Sequence, residues 1–343
     1  MTIYQHGNPG SAEEELVEHA RRSLAAAGFA VIGFTDIVNR EVSPPGTDLV
    51  TRARLQVTDL LLHLLWHQRA PDCWVETNAE QLAFLRAIGE LARVPRFELP
   101  ATGSSPVREI FGIDAAQPLT IEGVSEGASL AASLLPYAPE IRAAALVAGG
   151  RRYSEMLIHQ QARDFLDQLA YLGFDDLTST DVWVSLSLFQ TLLDPQDPHV
   201  HAPFLWGERL AIPGSDRRAS VLLVEGVADG LVPNHATESL AVALGGMAVV
   251  EPGRASLPGL ERVRPPLAGN VDAETTGALV QWTPLGVPGR EPTPGCSAPL
   301  AGPIAWEGHY CAQSALESSL QRAAFFTSAL GGGAPVVVDP LEN

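Results

Sequence analysis

The chain has no lysine: all 22 of its basic residues are arginine, set against 40 acidic ones for a net charge of −18. No basic stripe is present to release counterions from a phosphate backbone, so a nucleic-acid partner is excluded. Charge of this sign bears on solubility and association, not on fold. Cysteine is nearly as scarce. Cys73, Cys296 and Cys311 match no zinc spacing, and their odd number excludes a fully paired framework. A Cys296–Cys311 disulfide and three buried thiols both stay open. No apolar run reaches the roughly 20 residues that span a bilayer. Nor does the beginning show a basic segment leading into an apolar one, so no signal peptide is expected.

What is present is enough apolar material, 46% of 343 residues, to bury the core of one large α/β domain or two smaller ones. Residues 2–5 read as a strand running straight into the elaborate turn HGNPG. A helix follows, with Ser11 as its cap, Glu13 to Glu15 in its first turn and Gly28 at its end. A second strand lies within 28–36. Helices are expected at 52–68 and 79–94, and strands at about 119–122, 141–150, 219–233 and 247–252. This β-α alternation predicts a mostly parallel, twisted sheet covered by helices on both faces.

Two regions break the rhythm. Residues 151–218 are helical and rich in large apolar side chains, and read as a helical cap. Residues 252–306 are dense in proline and glycine with little periodicity, and read as an insertion. The catalytic core is then 1–150 together with 219–343.

The central chemical signal is Gly123-Val124-Ser125-Glu126-Gly127. The Gly-x-Ser-x-Gly pattern recurs by chance in a glycine-rich chain, but here an apolar strand precedes it and a helix of small residues follows, as a nucleophile elbow requires. A nucleophilic serine needs a base, and the base needs an orienting acid, in chain order Ser, acid, His. Asp229 stands just past a strand in VLLVEGVADGLVP, and His309 follows glycine in WEGHYCAQ. Asp272 and Glu274 are alternative acids. His235 reads as a surface or capping residue, and Asp36 as a structural residue holding the loop. His63 with His67, and His199 with His201, have metal-compatible spacing but no third ligand, so no metal site is assigned. Trp183, Phe189, Phe204 and Trp206 line either an acyl pocket or the core of the cap.

Taken in order, HGNPG after a strand, GVSEG, VEGVADGLVP and EGHY resemble the α/β-hydrolase fold family of serine hydrolases. Within it, the run of motifs looks most like bacterial esterases and lipases of extracellular type. The resemblance implies an oxyanion hole made by the backbone N–H groups of Asn8 and Glu126, with Gly7, Gly123 and Gly127 giving the backbone room. It implies no cofactor or metal, and a small-molecule, lipid or polyester substrate. It points to an extracellular or cell-envelope location. It also implies that the first two strands of the family's sheet are missing. Peptidase, thioesterase and polyester depolymerase activity, or a hydrolase-like scaffold kept for binding, remain alternatives, because a triad does not encode the leaving group.

Overall fold

Stretches that are apolar from end to end, such as AAALV and VLLV, are satisfied only by burial on both faces. In the computed structural model they form central strands. The structure describes residues 1–7, 10–16, 24–37, 39, 47–48, 51–52, 55, 69–91, 96–99, 108–111, 118–157, 179–212, 217–253, 257–284, 292–293, 296 and 304–340.

In chain order the elements are β1 (Thr2–Gln5), α1 (Ala12–Glu15), β2 (Val31–Phe34), α2 (Arg69–Leu91), β3 (Arg96–Leu99), β4 (Arg108–Phe111), β5 (Leu119–Val124), α3 (Glu126–Leu134) and β6 (Ile141–Val147). They continue as α4 (Tyr153–Leu157), α5 (Thr180–Leu193), α6 (Pro198–His201), α7 (Pro203–Trp206), β7 (Ser220–Gly226), α8 (Asn234–Leu244), β8 (Ala248–Val250), β9 (Glu261–Val263), β10 (Gly277–Trp282), α9 (Ile304–Ser314) and α10 (Leu316–Leu330). Eight strands make one sheet in the order β2-β1-β5-β6-β7-β10-β8-β9, and β3 with β4 form a separate two-stranded ribbon. Every pairing in the large sheet is parallel.

Parallel strands need crossovers, and the helices of those crossovers cover both faces. One face packs Ile121, Leu146, Val221 and Leu279 against Leu85 and Ile88 of α2, Leu134 of α3 and Leu240 of α8. The other packs Val124, Val147, Leu222 and Val280 against Cys311 of α9 and Phe325 and Phe326 of α10. Ala143, Ala144 and Ala145 of β6 are fully buried, so both helical layers come close to the middle of the sheet.

Several expected elements stand where the pattern put them: β1, β2, β5, β6, β7 and β8. Ser11 caps α1, its side chain accepting from the Glu14 N–H. Helix α2 begins ten residues ahead of the expected 79. The expected helix at 52–68 lies almost wholly outside the described residues. The expected insertion 252–306 instead supplies two strands of the sheet, residues 261–263 at its edge beside β8 and residues 277–282, where GALVQW is buried along its whole length between β7 and β8.

Candidate active site

Strand β5 delivers Ser125 at its carboxyl end, in a backbone conformation few side chains tolerate: φ 56°, ψ −121°. The strain is held by the Ser125 N–H donating to Val147 O of the neighbouring strand (2.7 Å), and by its carbonyl accepting from Ala128 N–H (3.0 Å). Both flanking glycines are steric necessities. A Cβ on Gly123 would meet Gly127 O at 2.5 Å, and one on Gly127 would run into the backbone carbonyls of Gln5 and His6. The α3 helix therefore sits directly against the end of β1. The Glu126 N–H, first in that helix, has no intrahelical partner.

The same end of β1 carries His6-Gly7. A Cβ built on Gly7 would lie 3.1 Å from Ser125 Cβ, so this loop touches the serine itself. Glu15 of α1 fixes it: its Oε2 accepts from the Gly7 N–H (3.2 Å) and from the buried Tyr4 hydroxyl (2.8 Å). Asn8 lies outside the described residues. Beneath the loop His6 is buried with an acceptor at each ring nitrogen, Gly7 O at 2.8 Å from Nδ1 and Asp36 Oδ2 at 3.1 Å from Nε2. Burial pulls the imidazole down, yet the hydrogen bond and charge of Asp36 outweigh it and leave His6 above its ordinary value. Burial likewise opposes the Asp36 charge, but His6 and Asn39 hold its carboxyl below the usual range. Asp36 does secure the loop, through His6.

Two strands over, β7 ends at Gly226, and a tight turn presents Asp229. Its Oδ1 accepts from the Leu231 and Val232 N–H groups at 2.8 and 2.9 Å. Asn234 staples the turn, accepting from Ala228 N–H (2.8 Å) and donating to Gly226 O (2.7 Å). That leaves Asp229 Oδ2 for His309, whose Nδ1 lies 2.6 Å away. The pair is buried, with 4% and 2% of the two residues exposed. Helix α9 reaches this position only because two glycines meet backbone to backbone: a Cβ on Gly308 would come within 2.5 Å of Val227 O and 2.6 Å of Asp229 N. Val124, Val147 and Val224 are register partners along β5, β6 and β7. Ser125 and Asp229 thus follow the carboxyl ends of two strands whose axes lie two strand spacings, or about 10 Å, apart.

The other acids do not meet the histidine. Asp272 pairs with Arg218 at 3.3 Å and accepts from the Glu274 N–H, in an exposed turn. His235 stands on the surface, 3.9 Å from Glu155. His199 faces Asp194 and Asp197, whereas His201 binds Tyr137 Oη and Pro195 O, so the two do not converge. His63 and His67 lie outside the described residues. Trp206 is core, its indole N–H donating to Ala219 O, while Trp183 is 50% exposed on α5.

Two features of the site gave no sequence signal. Glu15 was read only as a first-turn acid, yet it anchors Gly7. The Glu126 carboxylate, for which the sequence offers solvent or an arginine as surroundings, instead faces Asp36 and His6: on a residue still partly open to solvent, its carboxyl is pushed up to about 8 by burial and by Asp36, with His6 opposing. Among the described residues no group of three or more His, Cys, Asp or Glu side chains could hold a metal ion, and no helix is long and apolar enough to cross a membrane.

A parallel sheet of this order, with a serine at a strained strand-to-helix turn, an acid after a later strand and a histidine on a following helix, has the α/β-hydrolase fold. No protein-family model matches the chain, and no curated protein matches it significantly. Among solved structures it is similar to acetyl xylan esterase 1 from Thermoanaerobacterium sp. JW/SL YS485, at 12% identity and a TM-score of 0.37, covering 84% of this chain and 70% of that one. It is also similar to the Pyrococcus furiosus esterase Pf2001, at 12% identity and a TM-score of 0.34, covering 81% of this chain and 72% of that one. A second crystal form of that esterase gives 13% identity and a TM-score of 0.30. The functional reading therefore rests on the geometry.

Proposed function

We propose that the chain is a serine hydrolase that cleaves carboxylic esters through Ser125, His309 and Asp229. The observation that carries this is the buried 2.6 Å contact of His309 Nδ1 with Asp229 Oδ2 at the sheet edge where Ser125 emerges. With Nδ1 held by the carboxylate, Nε2 is the nitrogen left to take a proton. Ser125 Oγ attacks the ester carbonyl carbon as His309 accepts the hydroxyl proton, and Asp229 stabilises the imidazolium. The developing oxyanion is met by the amides of Asn8 and Glu126, donors of a kind worth roughly 3 kcal/mol each. Collapse expels the alcohol, which takes the proton from His309 and leaves an acyl-Ser125 ester. His309 then deprotonates water, which attacks that ester and releases the acid.

In this reading 151–218 is the cap over a core formed by 1–150 and 219–343. The apolar face of α5, where Trp183, Val184, Leu188 and Leu192 are exposed, supports an apolar acyl group. The test is p-nitrophenyl ester hydrolysis across acyl lengths, with labelling by a fluorophosphonate. Ser125→Ala and His309→Ala should each lower kcat by about 10⁴-fold or more and abolish labelling. A folded wild-type chain no better than its variants would sink the proposal. Ester and anilide versions of one acyl group separate esterase from peptidase.

A further inference from the structure

A charged residue has no reason to sit inside a buried strand unless something answers it. Glu122 is that residue: it lies on β5, three positions before Ser125, and is 1% exposed. Its partner is Arg322 of α10, 2% exposed and 200 residues away in sequence, with Nε donating to Glu122 Oε2 at 3.2 Å. The rest of the guanidinium is spent elsewhere. Nη1 donates to Ala312 O (3.1 Å) and Ser318 Oγ (2.7 Å), and Nη2 to Gln313 O (3.1 Å) and Ser319 Oγ (3.2 Å). All five N–H donors are used.

Ala312 and Gln313 belong to the last turn of α9, one turn beyond His309. Their carbonyls are among those a helix leaves unpaired at its C-terminus, where a cation is favoured. Arg322 therefore grips the helix that carries the histidine and, with its third arm, the strand that carries the serine. The network extends further. Tyr4 is the register partner of Glu122 on β1 and feels its charge, and the Tyr4 hydroxyl shares Glu15 with the Gly7 N–H. The Glu122–Arg322 pair thus joins the Ser125 strand to the His309 helix, beside the tyrosine that shares Glu15 with the loop against the serine.

We propose that Arg322 and Glu122 are positioning residues that set the placement of His309 relative to Ser125. A lysine could keep the charge opposite Glu122 but could not reach two carbonyls and two hydroxyls at once. The inference rests on the serine-hydrolase reading.

The experiment compares wild type, Arg322→Lys, Glu122→Gln and Ile88→Val, the last a packing change on the opposite face of the sheet. Thermal melting, kcat, KM, the fluorophosphonate labelling rate and the low-field NMR signal of the proton between His309 and Asp229 are read for each. Arg322→Lys should stay folded, lose roughly 10- to 100-fold in kcat and in labelling rate with KM within about twofold, and shift or lose the low-field signal. Ile88→Val should melt earlier with kcat and signal unchanged. If Arg322→Lys melts earlier but keeps wild-type kcat and signal, the residue is merely structural and the proposal falls. Should that variant fail to fold, Glu122→Gln takes its place: a fall in kcat supports the proposal, wild-type kcat overturns it. An inert, unlabelled wild type would mark failure of the hydrolase reading. The low-field signal then decides for the clamp alone, its loss in Arg322→Lys supporting it and its persistence overturning it.

Discussion

Glu126 follows the strained serine directly, and its carboxyl keeps its proton to about pH 8, well above the ordinary 4.5. Burial is the main cause and Asp36 adds to it, so a charge there is disfavoured twice over. On the proposed chemistry a carboxylate next to a developing oxyanion raises the barrier. Wild-type kcat should fall as pH rises through about 8, and Glu126→Gln should lack that fall; a pH–rate profile of both checks it. The sign for stability follows from the same shift. Between about 4.5 and 8 the folded state holds a proton that the unfolded state has lost, so stability declines with rising pH over this window. Denaturant melts at pH 5 and pH 8 should show a smaller decline in Glu126→Gln. Ser125 and Asp229 were legible because each sits in a turn announced by glycines and a flanking strand, and His309 because a glycine precedes it, although it lies within α9 rather than ahead of a helix. Glu126 was half legible: the pattern exposed its backbone role, but what surrounds its carboxyl comes from residues 90 positions upstream.

At the scale of elements, the site depends on helices lying closer to strands than side chains allow. Gly127 presses α3 onto the carbonyls that end β1, and Gly308 presses α9 onto the turn after β7. Gly127→Ala should cost about 1–3 kcal/mol, because the obstacle is backbone rather than a movable side chain. Thermal or urea unfolding measures it, and unchanged stability would mean that β1 and α3 are not apposed in this way. Strands with flanking turn signals could be read from the sequence: β1, β5, β6 and β7 fell where apolar runs met glycine and proline. Strand β10 could not. GALVQW lies among proline and glycine with no periodicity around it, and what makes it a strand is the slot between β7 and β8. The β3–β4 ribbon was hidden for a similar reason, its four-residue strands being too brief to show a period.

For the molecule as a whole, two ties fix the last quarter of the chain, one local and covalent, the other reaching back to the middle of the sequence. Cys296 and Cys311 are joined, 15 residues apart with Cα atoms 5.5 Å from each other, which settles the choice the sequence left open. Cys311 stands two residues past His309 and is fully buried. In the chain-entropy model a loop of that length is worth roughly 3 kcal/mol. Cys296→Ser should therefore unfold at lower denaturant, by about 2–3 kcal/mol, and reductant should bring wild type to the same place. The Glu122–Arg322 pair is a second such tie, and no sequence pattern pointed to it, since an arginine on an amphipathic helix ordinarily faces water.

On the proposed chemistry a ribosome delivers the nucleophile Ser125 before Asp229, and the base His309 last, so translation itself keeps the serine unarmed. At roughly 5–20 residues per second, His309 follows Ser125 by about 10–40 s. Once β6 has followed, a nascent chain would have the partner of its strained elbow but neither the proposed base nor the arginine proposed to position it. A fluorophosphonate added to a translating extract should then mark finished chains and pass over ribosome-bound ones.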